Sequence, residues 1–248
     1  MKEPRISAST SRPARASSFD VIAFDADDTL WHTERLYVDA QQKFRQLLAG
    51  YHDPGWIEAR LYQTEMHNLE HFGYGIKAFA LSMIETAVEL TEGRISGRDI
   101  RAIIDLAKNM LNADVELMDH VSETIPHLAA RHTLMLVTKG DLLDQQRKLS
   151  GSGLADYFAH VEIVSDKNQE TYTALLNRHS LLPERFLMVG NSLRSDILPV
   201  LALGAWAVFI PHPLTWAHES AEPPKPGHPR FYQLEHLDQL PDLLEQIE

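Results

Sequence analysis

A short apolar segment runs into three acids and a threonine in the stretch Val21-Ile22-Ala23-Phe24-Asp25-Ala26-Asp27-Asp28-Thr29. An apolar run of strand length is normally buried, so the acids that follow it are expected at the carboxyl edge of a sheet, where open α/β folds bind their ligands. If the chain stays extended past Asp25, the two-residue period of a strand places Asp25 and Asp27 on one side and Asp28 on the other. Two carboxylates so close need a cation, or a proton on one of them. The stretch therefore predicts either a catalytic edge or a plain acidic turn after a strand.

Three later apolar runs, residues 133–137, 161–165 and 186–189, also end in polar residues. The residues that follow them are Thr138-Lys139, Asp166-Lys167 and Gly190-Asn191-Ser192-Leu193-Arg194-Ser195-Asp196. A fifth run covers residues 206–210, and helical patterns over residues 121–131, 142–149, 169–179, 196–203 and 237–247 lie between and after the runs. This alternation is typical of a parallel sheet with crossover helices.

The four segments, in this order, resemble the motifs of the haloacid dehalogenase superfamily of hydrolases, most of which are phosphatases. Residues 25–29 resemble its first motif, Thr138 its second, Lys167 its third and residues 190–196 its fourth. The resemblance covers the chain from about residue 21 to residue 210. It implies an α/β fold in which a Rossmann-like parallel sheet is flanked by helices and carries an inserted all-helical cap domain.

The residues between the first and second motifs have apolar positions at helical spacing and predict four helices. In the terms of the resemblance they form a helical cap that encloses the substrate against the core. We therefore expect a disordered tail over residues 1–18, a Rossmann-like catalytic core over residues 19–32 and 118–248, and a helical cap over residues 33–117. Trp56, Phe72 and Tyr74 are candidates for the cap side of the cleft, although aromatic residues at helical spacing more often belong to a core.

The composition narrows the choice of partners. The 248 residues include 23 basic and 35 acidic residues, which gives a formal net charge of −12 and argues against a nucleic-acid polymer or a membrane surface as partner. A small phosphorylated metabolite remains possible, because a bound metal and nearby lysines can outweigh the global charge at one site. There is no cysteine, which excludes a disulfide framework and a thiol nucleophile and fits a reducing compartment.

No apolar stretch reaches membrane-spanning length, and the N-terminal residues lack the apolar segment of a secretory signal. We therefore expect a cytoplasmic protein. The arginines and serines of the first 18 residues would also suit an organellar transit peptide. No motif indicates the oligomeric state or the particular substrate.

The resemblance implies a mechanism for hydrolysis of a phosphate monoester. Asp25 would attack phosphorus and form an aspartyl phosphate, while Asp27 would protonate the leaving oxygen and then take a proton from water. Thr138 would donate its hydroxyl to the phosphoryl group, Lys139 would add positive charge beside the substrate or point into solvent, and Lys167 would balance the charge of Asp25. These roles assign Asp25, Asp27 and Lys167 to catalysis and Thr138 and Lys139 to substrate binding.

The implied cofactor is Mg²⁺, a hard cation that prefers oxygen ligands. Its ligands would be a carboxylate oxygen of Asp25, the backbone carbonyl of Asp27, and Asn191 and Asp196 of the fourth motif. The family usually has an acid where this chain has Asn191, so the substitution bears on metal affinity. Asp28 stands where glycine is frequent, and we expect it to cap the turn.

Three alternatives to a phosphatase remain at this level. A haloacid dehalogenase is disfavoured by Asp27, because relatives with that activity lack the second acid of the first motif. A phosphomutase would keep both acids. A noncatalytic regulatory or binding module of the same fold would have no need to keep all the motif residues.

Overall fold

The computed structural model describes residues 18–247, so residues 1–17 of the expected tail lie outside the described residues. A six-stranded parallel sheet forms the centre of the fold, with the strand order β3-β2-β1-β4-β5-β6. The strands are β1 (Val21–Phe24), β2 (Leu134–Lys139), β3 (His160–Val164), β4 (Phe186–Gly190), β5 (Trp206–Phe209) and β6 (Phe231–Gln233). The predicted Rossmann-like α/β fold is confirmed.

The first strand lies at the middle of the sheet and is buried on both faces. Ala23 is opposite Met135 of β2 on one side and Met188 of β4 on the other. Because successive side chains alternate, Ile22 and Phe24 belong to the hydrophobic core on one face and Val21 and Ala23 to the core on the other. Burial of a large apolar side chain such as Phe24 contributes about 1.5–3 kcal/mol, which fixes the strand and the acids that follow it.

Helices cover both faces of the sheet, as the βαβ pattern requires. The helices of the core are α5 (Val121–Ala129), α6 (Leu142–Ser152), α7 (Gln169–Arg178), α8 (Leu198–Ala202) and α9 (Leu240–Ile247). None of the helices among the described residues is long and apolar enough to cross a membrane.

Two parts of the sequence prediction differ from the structure. The predicted helix 196–203 is divided, because a π-helical turn over Leu193–Ile197 precedes α8 and Pro199 occupies the first turn of that short helix. The strand β6 was not predicted from the sequence. It has three residues, is only partly buried and follows a proline-rich loop, so its apolar pattern is too short to distinguish it from a loop.

Four of the five helices between the first and second strands make up the predicted cap: α1 (Glu34–Leu48), α2 (Pro54–Phe72), α3 (Ile76–Leu90) and α4 (Gly97–Leu111). They share a separate hydrophobic core, whose fully buried members include Phe44, Ile57, Met83 and Ile103. Asp53 caps α2 by accepting from the backbone of Gly55 and Trp56, and Ser96 caps α4. The domain boundaries at residues 33 and 117 remain a prediction.

The two connections between sheet and cap lie side by side. Trp31 forms an antiparallel bridge with Leu117, His32 donates its backbone N–H to the Glu116 carbonyl at 2.9 Å, and Met118 donates to the Leu30 carbonyl at 2.9 Å. This pairing places the N-terminus of α1 directly beside the acids that follow β1.

Candidate active site

A cleft lies between the carboxyl edge of the sheet and the helical cap. All of the sequence-predicted site residues line it, namely Asp25, Asp27, Thr138, Lys139, Lys167, Asn191 and Asp196. They come from the ends of four strands, because β1, β2, β3 and β4 are neighbours in a parallel sheet and end at the same edge. The cap contributes residues of α1, α2 and α3 to the opposite wall.

A buried lysine joins two of the acids. The Lys167 ammonium forms ion pairs with Asp25 Oδ1 and, at 2.8 Å, with Asp196 Oδ1, and none of the three residues is more than 7% exposed. Burial and the neighbouring Asp196 raise the pKa of Asp25 to about 7, although Lys167 opposes the rise. Although burial alone would lower it, Asp196 and Asp25 raise the pKa of Lys167. Lys167 therefore stays protonated and favours the ionised form of Asp25 that a nucleophile requires.

The Asp196 carboxylate needs a glycine at the end of β4. Its Oδ2 accepts from the Ser192 backbone N–H at 3.0 Å, which holds the carboxylate against the Cα of Gly190. A Cβ at residue 190 would lie 2.6 Å from the Asp196 Cβ and closer still to the carboxylate, so only glycine fits. Asp196 thus positions Lys167 in the structure.

The oxygen atoms beside Asp25 suit a hard cation. Thr29 Oγ1 donates to Asp25 Oδ2 at 3.0 Å and lies 3.3 Å from Asn191 Oδ1, so one hydroxyl brings these two oxygens together. No hydrogen bond among the described residues uses the Asp27 carbonyl oxygen. A carboxylate, an amide oxygen and a free carbonyl are the ligand types that Mg²⁺ takes, so the residues present fit such an ion.

The Asp27 carboxylate accepts four hydrogen bonds. Its Oδ1 accepts from Trp31 Nε1 at 2.8 Å, Thr33 Oγ1 at 2.7 Å and Lys148 Nζ at 2.7 Å, and its Oδ2 accepts from Gln145 Nε2 at 2.8 Å. Burial alone would raise the pKa of Asp27, but Lys148, Gln145 and Thr33 together lower it. The carboxylate is therefore ionised in this arrangement, which is the form that accepts a proton.

The residues that donate hydrogen bonds to Asp27 were not predicted from the sequence. Gln145 and Lys148 are three residues apart on α6, so they share a face of the helix that follows the second motif. That spacing was visible in the sequence, but nothing local showed that the face would point at Asp27 rather than at solvent. Trp31 had a clearer signal, as it lies four residues after Asp27 in the same turn.

The two predicted substrate-binding residues differ in whether their polar groups already have partners within the protein. Thr138 is 1% exposed, and its hydroxyl takes part in no hydrogen bond among the described residues, so it can donate to a ligand. The Lys139 ammonium instead pairs with Glu219 and donates to Ser195 Oγ at 2.8 Å. Although burial opposes it, Lys139 and two serine hydroxyls lower the pKa of Glu219 to about 2. Glu219 ends a short 3-10 helix, Ala217–Glu219, in the connection after β5, and it had no signal in the sequence.

Asp28 accepts hydrogen bonds at the start of the first cap helix, in line with the expectation that it caps the turn. It has a φ of 59°, and its carboxylate accepts from the backbone of Thr33 at 2.9 Å and Glu34 at 3.0 Å. Asp28, His32 and His212 also each offer one ligand atom, all within 4.8 Å of one another, so this cluster could hold a metal ion. It was not predicted because His212 lies far away along the chain.

Of the three aromatic residues proposed for the cap side of the cleft, one lines it. Tyr74 lines the cleft, and its ring centroid lies 3.9 Å from the Lys139 ammonium. Trp56 and Phe72 are 58% and 51% exposed and do not line the cleft that the described residues form. Both belong to α2 and face solvent, so they lie neither in the cleft nor in the core, which was the alternative for aromatic residues at helical spacing.

A buried lysine between two buried acids at the carboxyl edge of a parallel sheet, beside an inserted helical segment, is the arrangement expected of an α/β enzyme that binds its ligand at that edge. The family model described as haloacid dehalogenase-like hydrolase matches residues 19–204, and the chain belongs to that family. None of the curated proteins compared with this chain matches it.

Solved structures give the same result. A haloacid dehalogenase-like family hydrolase from Xanthomonas campestris is 38% identical, with a TM-score of 0.84 over 96% of this chain and 94% of that one. The haloacid dehalogenase-type (HAD) hydrolase YfnB from Bacillus subtilis, in a magnesium-bound structure, is 17% identical, with a TM-score of 0.65 over 92% of this chain and 99% of that one. An L-2-haloacid dehalogenase from Xanthobacter autotrophicus, with chloropropionic acid covalently bound, is 13% identical, with a TM-score of 0.63 over 93% and 100%. The last two similarities concern the fold alone.

Proposed function

We propose that this hydrolase is a magnesium-dependent phosphatase that acts on a small phosphorylated metabolite through an aspartyl phosphate on Asp25. The observation that carries the proposal is the second acid, because Asp27 lines the same cleft as Asp25 and is held there by four donors. Hydrolysis of a phosphate monoester needs a group that handles the proton of the leaving alcohol and then that of water, whereas halide release needs no such proton.

The residues around Asp25 divide the remaining work. Thr138 donates its hydroxyl to a phosphoryl oxygen, and Lys167 keeps Asp25 ionised and offsets the charge of the phosphoryl group. Asp25, Asn191 and the carbonyl of Asp27 would hold Mg²⁺, which when bound supplies further positive charge to the transferring group. Asp196 acts through Lys167, to which it is bonded at 2.8 Å.

Asp27 serves the two half-reactions differently. Its ionised, fully bonded form is suited to remove a proton from the water that attacks the aspartyl phosphate. To protonate the leaving oxygen in the first half-reaction, Asp27 must carry a proton, which the charge of Lys148 opposes. Lys148 is the donor whose departure would raise the pKa of Asp27 most, since its charge is the main opponent of burial there.

The charge of the cleft argues against the dehalogenase alternative. Eight acids and three lysines line the cleft, and no arginine is present among the lining residues that the structure describes. All three lysines are already paired with acids: Lys139 with Glu219, Lys148 with Asp27 and Lys167 with Asp25. A haloacid carboxylate without a metal ion would meet only lysines that acids already engage, whereas the phosphoryl group of the proposed substrate would also have Mg²⁺ beside Asp25.

The test compares two leaving groups on one protein preparation. We expect phosphate release from p-nitrophenyl phosphate with Mg²⁺, loss of release with EDTA, and no chloride release from 2-chloropropionate. Asp25→Asn should abolish turnover while keeping the fold, because the side chain keeps its shape and loses its nucleophilic oxygen. Chloride release without phosphate release would support the dehalogenase, isomerisation of a phosphosugar without free phosphate would support the phosphomutase, and inactivity on every compound would support the noncatalytic module.

A further inference from the structure

Two carboxylates on the cap wall of the cleft have no partner. Glu34 on α1 and Glu65 on α2 both line the cleft and are partly buried. None of the hydrogen bonds or ion pairs among the described residues engages either carboxylate. Ionisable side chains that are partly removed from water are normally paired, so this wall lacks a positive charge.

Without a positive charge nearby, the ionised forms of Glu34 and Glu65 are destabilised by their surroundings. Burial raises the pKa of Glu34 to about 7, and Asp28, Asp27 and Glu219 add to the effect. Burial, with a further contribution from Glu34, raises the pKa of Glu65 to about 8. The negative charges of these acids therefore repel one another, and a cation bound between them would reduce that repulsion.

A third unused acceptor lies on the same wall. Asn68 on α2 is 4% exposed, and its Nδ2 donates to Ser82 Oγ at 3.2 Å and to Glu85 Oε2 at 2.7 Å. A carboxylate can only accept, so the contact with Glu85 fixes the orientation of the amide. Asn68 Oδ1 receives no hydrogen bond from the described residues, and Asn68 lines the cleft, so this oxygen is available to a donor on a ligand.

Aromatic rings complete this part of the cleft. Tyr37 on α1 lines it and packs on Phe79 with ring centroids 5.1 Å apart, and Trp216 lines the facing side. Burial and the surrounding acids raise the pKa of Tyr37, so its ring is a neutral phenol. The faces of such rings attract alkylammonium groups.

We propose that the alcohol part of the substrate carries a protonated amine, which binds between Glu34 and Glu65 while the phosphoryl group lies at Asp25. This inference rests on the proposed phosphatase function and specifies its substrate class. An ammonium group has three donors and no acceptor, which suits a wall with three acceptor groups, the carboxylates of Glu34 and Glu65 and the amide oxygen of Asn68. The amine takes no part in the reaction: the ester P–O bond breaks, phosphorus bonds to Asp25 and then to water, and the products are an amino alcohol and inorganic phosphate.

The test uses two alkyl phosphates of equal size, 3-aminopropyl phosphate and butyl phosphate, which differ in an ammonium against a methyl group. Carboxymethyl phosphate supplies an anionic compound, glycerol phosphate a neutral polyol, and p-nitrophenyl phosphate the reference. We expect kcat/KM for the amine to exceed that for butyl phosphate by about tenfold or more, since an ion pair in a partly dehydrated cleft is stronger than one in water. The polyol should be intermediate and the anionic compound the poorest.

Two variants locate the effect. Glu65→Gln and Glu34→Gln should each lower the ratio of kcat/KM for amine over butyl phosphate by about fivefold to tenfold. Glu70→Gln is the matched control, because Glu70 is on the same helix as Glu65, has a side chain that is 69% exposed and does not line the cleft. Its ratio should equal that of the wild type.

The outcomes separate this inference from the proposed function. No phosphate from any compound, including p-nitrophenyl phosphate with Mg²⁺, would overturn both. Turnover of p-nitrophenyl phosphate with equal rates for amine and butyl phosphate would overturn the amine inference and leave the phosphatase intact. A preference for the amine that Glu65→Gln and Glu34→Gln both leave unchanged would also overturn it, because the charge would then be recognised elsewhere.

Discussion

Replacement of Lys167 by methionine tests the centre of the proposed site without relying on activity. The methionine fills a similar volume, but the buried carboxylates of Asp25 and Asp196 lose the one ammonium that they share. Both carboxylates are almost fully buried, so water cannot replace the lost ion pairs.

The expected loss of stability follows from this geometry. Removal of one partner from a buried ion pair costs about 3–5 kcal/mol, and here two acids are left behind. The cost is limited because the acids can take up protons. At a pH where the folded variant holds one more proton on these acids than the folded wild type, each unit fall in pH reduces the loss of stability by about 1.4 kcal/mol. We therefore expect Lys167→Met to lose about 3–5 kcal/mol at pH 7.5 and markedly less at pH 5.5.

Urea denaturation in EDTA at the two pH values measures this directly. Lys108→Met is the control, because the Lys108 side chain is 56% exposed and its contact with Asp105 spans 3.9 Å, so its loss should stay within about 0.5 kcal/mol. A loss below about 1 kcal/mol for Lys167→Met at pH 7.5, or an equal loss at both pH values, would refute the argument that Lys167 neutralises two buried acids.

Three further substitutions test other parts of the site. Gly190→Ala should lower the free energy of unfolding by about 2–3 kcal/mol, because its Cβ overlaps the Asp196 side chain, while Gly50→Ala, with nothing within 4 Å, should change it little; equal effects in urea denaturation would contradict this. The pKa of Glu65 rises from 4.5 to about 8 on folding, so the wild type loses stability as the pH rises between those values. Glu65→Gln should therefore stabilise the protein at pH 9 and not at pH 4.5, by about 1–2 kcal/mol because solvent in the open cleft screens part of the effect. A gain that is equal at both pH values would exclude the raised pKa of Glu65 as its cause. Asn191→Asp should lower the Mg²⁺ concentration for half-maximal activity by about tenfold, and superimposable titrations would show that residue 191 does not face the metal.

The central strands and the residues at their ends could be predicted from the sequence because both depend on local pattern. Val21–Phe24 is wholly apolar, so it had to be a buried strand, and the acids after it had to lie at the edge of the sheet. Parallel neighbours end at that same edge, which brought Thr138 and Lys167 beside Asp25 without any tertiary information. The three-residue strand β6 carried no such pattern.

The environment of each site residue could not be predicted in this way. Spacing placed Asp27 near Asp25, but its ionisation depends on Lys148 and Gln145, which lie on a helix that follows another strand. Glu219 neutralises Lys139 from a loop after β5, and the unpaired state of Glu34 and Glu65 depends on how the cap meets the core. These are relations between distant segments, and neither periodicity nor motif spacing encodes them.

The charges of the cleft connect the metal to the substrate. The sequence suggested that local lysines could outweigh the negative charge of the protein for an anionic substrate. In the structure each of the three lysines is held by acids, and acids outnumber lysines by eight to three. In the proposed phosphatase, binding of a phosphate monoester would therefore be favoured by another cation beside Asp25, where Asn191 and the Asp27 carbonyl offer oxygen ligands. On the cap side Glu34 and Glu65 have no neighbouring cation, and we propose that the ammonium group of the substrate supplies the missing positive charge.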